Sequence, residues 1–148
     1  MNPSQVRQRI LMDHDRMRQR LDAVEASLAS LPEHPSEIAR VCEAASAMVA
    51  DFVKHTELED EILGAALAEL DAWGPVRAAI LREHHASQRD QLRGLLQAYE
   101  APAPVEHIAH ITLSWIREVR ADMRHEEHDI LASTLLRDDP VAVNMECS

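Results

Sequence analysis

Proline and glycine gather at three internal places in this chain, LPEHPS at 31–36, WGP at 73–75 and APAP at 101–104. Proline removes a backbone donor and glycine costs about 1 kcal/mol in a helix interior, so such clusters end helices and set where the chain turns. Four helical segments remain. The first runs from about Ser4 to Leu31, the second starts near Ser36, the third near Pro75, and the fourth runs from about Val105 towards Asp138. Ser36 suits an N-cap, and Pro75 suits a first turn, where its missing N–H is not needed. Connections this short force neighbouring helices to run antiparallel. The expected fold is therefore all-α, an up-down-up-down antiparallel four-helix bundle over residues 1–138, with 139–148 as a C-terminal tail.

A chain of 148 residues is the length of one domain, and folding at that size can bury roughly 68–70 % of the unfolded surface. Three glycines and abundant Ala, Leu, Glu and Arg suit helix, and no long stretch alternates in the manner of a strand. The formal net charge of −11 argues against a nucleic-acid partner, because no basic cluster interrupts it. Cys42 and Cys147 are too few for a disulfide framework, which fits a reducing compartment. Neither a signal-like N-terminus nor an apolar run of about 18 residues occurs. These features predict a soluble, cytoplasmic protein with no membrane partner.

Periodicity then exposes an anomaly. In the second segment Ile38, Val41, Ala45, Met48, Phe52, His55, Glu59, Ile62 and Ala66 step by three and four, one face of a helix. His55 and Glu59 fall on that inward stripe. The fourth segment shows Ile108, Ile111, Trp115, Val119, Asp122, His125, Asp129, Ala132 and Leu136 at comparable spacing, and it too turns titratable halfway along. A buried carboxylate needs a partner or a cation. An imidazole and a carboxylate four apart lie about 5–6 Å from each other at Cβ, close enough to serve one metal ion.

Adding 70 to His14, His55 and Glu59 gives His84, His125 and Asp129, so the ligand types occur twice. At ~1.5 Å rise per residue His14 and His55 both sit about 25–29 Å from the first turn, and His84 and His125 sit at comparable heights on their own hairpin. The candidate metal ligands are thus His14, His55, Glu59, His84, His125 and Asp129. Two facing sets of nitrogen and oxygen ligands suit two iron-like ions, with Glu59 and Asp129 as bridges, and the lack of thiolates argues against an iron–sulfur cluster. His85 competes with His84, because Leu92, Leu95 and Tyr99 follow it at the offsets at which Leu21, Val24 and Leu28 follow His14. His128 is a candidate fifth imidazole. Asp122, one turn before His125, is either an acceptor orienting that ring or an ordinary helical aspartate. His34, His107 and His110 lie at a turn or a helix start and are read as solvated.

The pattern H14 … H55-TEL-E59 … H84 … H125-EEH-D129 resembles the hemerythrin-like HHE cation-binding family, whose signature is a lone histidine followed by HxxxE, then both again. The resemblance covers the chain from the first helix to about Leu136. It implies a four-helix bundle holding two iron ions with an oxo or hydroxo bridge and two bridging carboxylates. Two departures stand out: Gln88 lies four beyond His84, where oxygen-carrying hemerythrins have a second histidine, and Asp129 stands where HHE proteins usually have Glu. Four histidines and two bridges would leave each iron five-coordinate, with an open position. The expectation is a non-haem di-iron protein reacting with peroxide, nitric oxide or dioxygen. The alternatives are non-catalytic binding or sensing of O2 or NO, and iron storage or donation. These residues are compatible with an enzyme, a di-iron oxidoreductase consuming peroxide or nitric oxide, and with a non-catalytic binder alike.

Overall fold

A computed structural model describes residues 1–101 and 103–139; the tail from 140 on, with Cys147, lies outside the described residues. Helix α1 spans Pro3–Ser30, and its start follows from the sequence. The Asn2 side chain accepts from the Gln5 backbone N–H while Gln5 accepts from Asn2, a reciprocal cap with Pro3 in the first turn. Ser36 does not act as an N-cap. It sits inside a 3-10 turn over Pro35–Glu37, and α2 begins without a side-chain cap at Ile38. Helix α2 spans Ile38–Leu58, and a single π turn over Glu59–Leu63 leads on into α3, Gly64–Leu70. Helix α4 spans Gly74–Glu100 with Pro75 in its first turn, and α5 spans Val105–His128. No strand occurs among the described residues.

The π turn explains a shift in register. A wider turn inserts one residue into the helical repeat, so every later side chain rotates to a new face. Ile62 and Ala66, expected inward, are only partly buried, while Leu63 and Leu67 are fully buried. Burying a leucine stabilises by roughly 1.5–3 kcal/mol, so the bulge places the larger side chains in the core. It begins at Glu59, one helical turn after His55.

The fourth helix is shorter than its sequence suggested. It stops at His128, and Asp129 leaves helical geometry with φ −112° and ψ −94°. Beyond it the chain crosses the end of the structure in turns. Leu131 and Leu136 are fully buried there, the Leu131 carbonyl accepts from Arg7, and Asp138 accepts from Ser4. Leu131 and Leu136 thus extend the apolar face of α5 without continuing the helix.

Helix α1 packs on α2 and α5, and α4 on α2 and α5, which closes a ring consistent with a helical bundle. Its interior holds two apolar clusters. One gathers Met17, Leu21, Val49, Phe52, Trp115 and their neighbours, and the other gathers Val6, Ile10, Leu63, Leu67, Leu81 and Leu131. Along α1, α2 and α4 the step from one cluster to the other passes through His14, through His55 and Glu59, and through His85, all buried.

Candidate metal centre

Buried His14, His55 and Glu59, with nearly buried Glu126, form a group whose ligand atoms lie within 4.8 Å of one another and which could hold a metal ion. Helix α1 supplies His14. Helix α2 supplies His55, and Glu59 opens the π turn one helical turn later. The first half of the expected ligand set is therefore brought together.

Glu59 Oε1 lies 3.2 Å from Nε2 of both His14 and His55. Its other oxygen, Oε2, lies 3.1 Å from Nε2 of His85. Glu126 repeats this division, with Oε2 3.3 Å from His14 Nε2 and Oε1 3.9 Å from His85 Nε2. Both carboxylates thus span from one imidazole set to another. Neither Glu59 Oε2 nor Glu126 Oε2 accepts a hydrogen bond, although a ring nitrogen lies close to each. Buried carboxylate oxygens without a donor are costly, and a cation is the partner that their position suits.

The outward nitrogens strengthen that reading. His55 Nδ1 lies 2.6 Å from Asp13, His85 Nδ1 2.6 Å from Asp60, and His14 Nδ1 2.9 Å from Glu127. Each of these carboxylates meets an arginine in turn: Arg16 on Asp13, Arg89 on Asp60 and Arg18 on Glu127. A carboxylate at Nδ1 holds that proton and leaves Nε2 a lone pair, the tautomer a metal needs. Three neutral imidazoles would then turn acceptors towards two carboxylates with no donor between them. Protons can fill the same role. Burial disfavours the imidazolium form of His14, but Glu126, Glu59 and Glu127 outweigh it and raise its pKa to about 10. Burial likewise opposes charging of His55 and His85, yet Asp13 and Glu59 raise the first to about 9, and Glu126, Glu59 and Asp60 raise the second to about 10. Glu59 is pushed up by burial and pulled down further by the three imidazoles, ending well below the ordinary carboxylate range. The layer holds either shared protons or a cation.

The second half departs from the expected set. His85, not its neighbour, reaches the cluster; His84 is 50 % exposed, with Nε2 3.6 Å from Asp122. Its buried register, Ala78, Leu81, His85, Leu92 and Leu95, is the three-four stripe of α4. Glu126 takes the place expected for a carboxylate at 129, and His125, Asp129 and His128 are exposed. Each residue turns about 100° round a helix axis. From Val119, steps of three and then four reach Glu126 about 20° off the stripe, whereas two steps of three reach His125 about 120° off it. A constant offset of 70 also misaligned the halves, because the connection at 101–104 is shorter than the one at 31–37. Asp122 accepts from Gln88 at 2.6 Å and does not orient His125.

Comparison with models of protein families, with curated proteins and with solved structures finds no match for this chain.

Proposed function

We propose that this chain is a hemerythrin-like, non-haem di-iron protein of the cytoplasm, an up-down-up-down four-helix bundle whose carboxylate-bridged centre reacts with peroxide, nitric oxide or dioxygen. One arrangement carries the reading. Three imidazole Nε2 atoms, buried Glu59 and nearly buried Glu126 gather in one layer, two of the glutamate oxygens accept no hydrogen bond, and each imidazole is backed by a carboxylate. Nitrogen and oxygen ligands with spanning carboxylates suit a pair of iron-like ions.

The chain's own residues would do the following. His14, His55 and His85 bind through Nε2, oriented by Glu127, Asp13 and Asp60. Glu59 and Glu126, each reaching from the His14 side to the His85 side, would balance the charge of metal held between them. Phe52, Val119 and Met123 keep bulk water from the inner side, where a gap of about 10 Å³ adjoins His55, Glu59 and His85. A gap of that size has room for about one water molecule, which favours a ligand of a few atoms over an organic substrate. When bound, iron supplies electrons and an open coordination position for such a ligand. No helix among the described residues is long and apolar enough to cross a membrane.

The test is metal analysis of protein purified without chelators, followed by absorption spectra under air and after peroxide or nitric oxide. Iron in the protein and a spectral change on adding either ligand are expected. A protein that takes up no iron, or an iron-loaded one whose spectrum neither ligand alters, would overturn the reading.

A further inference from the structure

By their place around the two glutamates and their spacing along the helices, His14, His55 and Glu59 correspond to His85, Asp122 and Glu126. In α2 a histidine precedes the bridging glutamate by four residues, and in α5 that place holds Asp122. The approximate twofold pattern of the site breaks at this one position. On one side Nε2 of His14 and of His55 both lie 3.2 Å from Glu59 Oε1, with their ring centroids 5.0 Å apart. On the other side His85 stands alone among imidazoles beside Glu59 Oε2. Asp122 lines the same small gap as His85, Glu59 and Glu126, and its carboxylate is engaged by the Gln88 amide at 2.6 Å.

We infer that the two metal positions are unequal: His14, His55, Glu59 and Glu126 retain one ion tightly, while the position beside His85 exchanges its ion with the medium. The inference rests on the di-iron reading above. Imidazole is the strongest neutral donor available here, and the His85 position has one where its counterpart has two. Asp122 stands there with a carboxylate in place of the second imidazole, and the Gln88 amide draws one of its oxygens, Oδ2, towards α4 at 2.6 Å.

The surroundings provide a route for exchange. A cavity of about 350 Å³ opens between α4 and α5, lined by Ile80, His84, Asp122, Glu126 and Asp129 with Arg77. It shares Asp122 and Glu126 with the inner gap, so it adjoins at those two side chains the space that His85 lines. Its three carboxylates outnumber its single arginine, which favours entry of a cation. Buried Glu59, whose Oε2 has no hydrogen-bond partner, turns that oxygen to the same side.

Titration of the full chain with cobalt(II) by calorimetry, and cobalt analysis after gel filtration, tests this. Wild-type protein is expected to bind in two steps with dissociation constants at least about tenfold apart, and to keep only the first equivalent through the column. Asp122→His restores the histidine four residues before Glu126 and is expected to bring the two constants together and retain both ions. His85→Ala should abolish the second step and leave the first, and circular dichroism confirms that each variant is folded. Two equally tight ions in the wild type, an Asp122→His variant that still loses the second ion, or an His85→Ala variant that loses the first would each overturn the inequality and leave the di-iron reading standing. No cobalt bound at all would overturn both.

Discussion

The two helix pairs of the molecule, α1 with α2 and α4 with α5, supply the same layer by different means. In α1 and α2, His14, His55 and Glu59 fall where simple periodicity puts them, and their side chains converge. In α4 and α5 the same periodicity points to His84, His125 and Asp129, which stay at the surface, while His85 and Glu126 turn inward. A repeated ligand pattern thus fixes a site only where the surrounding apolar residues leave one register open. Helix α5 is ambiguous because RHEEHD places a titratable group at every position from 124 to 129, so some such group faces every direction. The stripe of Trp115, Val119 and Met123 decides which one turns in.

Glu59→Ala offers the largest effect and tests whether the two halves share a hub. Three imidazoles meet this one carboxylate, so its removal leaves their charge buried and uncompensated. Breaking a buried pair in this way costs about 3–5 kcal/mol, and the metal is lost with it. Denaturant melts and metal analysis read both losses. Full metal content in Glu59→Ala would place the site elsewhere.

Paired variants on α5 then separate its two candidate faces. Glu126→Ala is expected to cut metal content strongly, whereas His125→Ala and Asp129→Ala leave it unchanged. His84→Ala, on the exposed side of α4, is likewise expected to be neutral within about 0.5 kcal/mol in stability. The reverse pattern, with metal lost from His125→Ala and kept in Glu126→Ala, would restore the register that the sequence alone suggested.

Most of the helical layout was legible because breakers and a long apolar period act locally. Pro75 starts α4 and the cluster at 31–36 separates α1 from α2, both readable without tertiary knowledge. Departures came from effects that no local pattern encodes. The π turn at Glu59–Leu63 adds a residue for the sake of packing Leu63 and Leu67, and the end of α5 is set by docking Leu131 and Leu136 against α1, α3 and α4. Asp13, Asp60 and Glu127 were missed for a related reason. Each contacts a histidine on a different segment, a relation that spacing within one helix cannot reveal.

Removing the metal should make the layer respond to pH with a definite sign. His14, His55 and His85 have pKa values raised to about 10, 9 and 10, against an ordinary 6.5. Their contribution to stability is complete below about pH 6.5 and is lost as pH climbs through 9 to 10, since the folded state then gives up protons it alone had bound. Chelator-treated protein should therefore melt at progressively lower temperature between pH 7 and 10, by about 2–4 °C for each kcal/mol lost. Metal-loaded protein should not follow, because the ion replaces those protons. Parallel melting curves for the two forms would mean that protons and metal do not compete for this layer.

The smallest of these effects concerns the carboxylates behind the imidazoles, and it compares the halves most finely. Asp13 backs His55 and is held below its ordinary pKa by that histidine and by Arg16, while Asp60 backs His85 with Arg89. Asn keeps the shape of Asp but loses its charge, and the amide can turn either an acceptor or a donor to the ring. The imidazole is then free to take the other tautomer, which presents a proton to the metal position. Loss of such a partner lowers metal affinity by about 10–100-fold without removing a ligand. Asp13→Asn should act on the ion held by His14 and His55, and Asp60→Asn on the ion beside His85 alone. Competition titrations against a chelator of known affinity resolve the two. Equal losses at both positions from either variant would mean that the outer carboxylates tune the layer as one unit, and the distinction between the helix pairs would then end at the inner ligands.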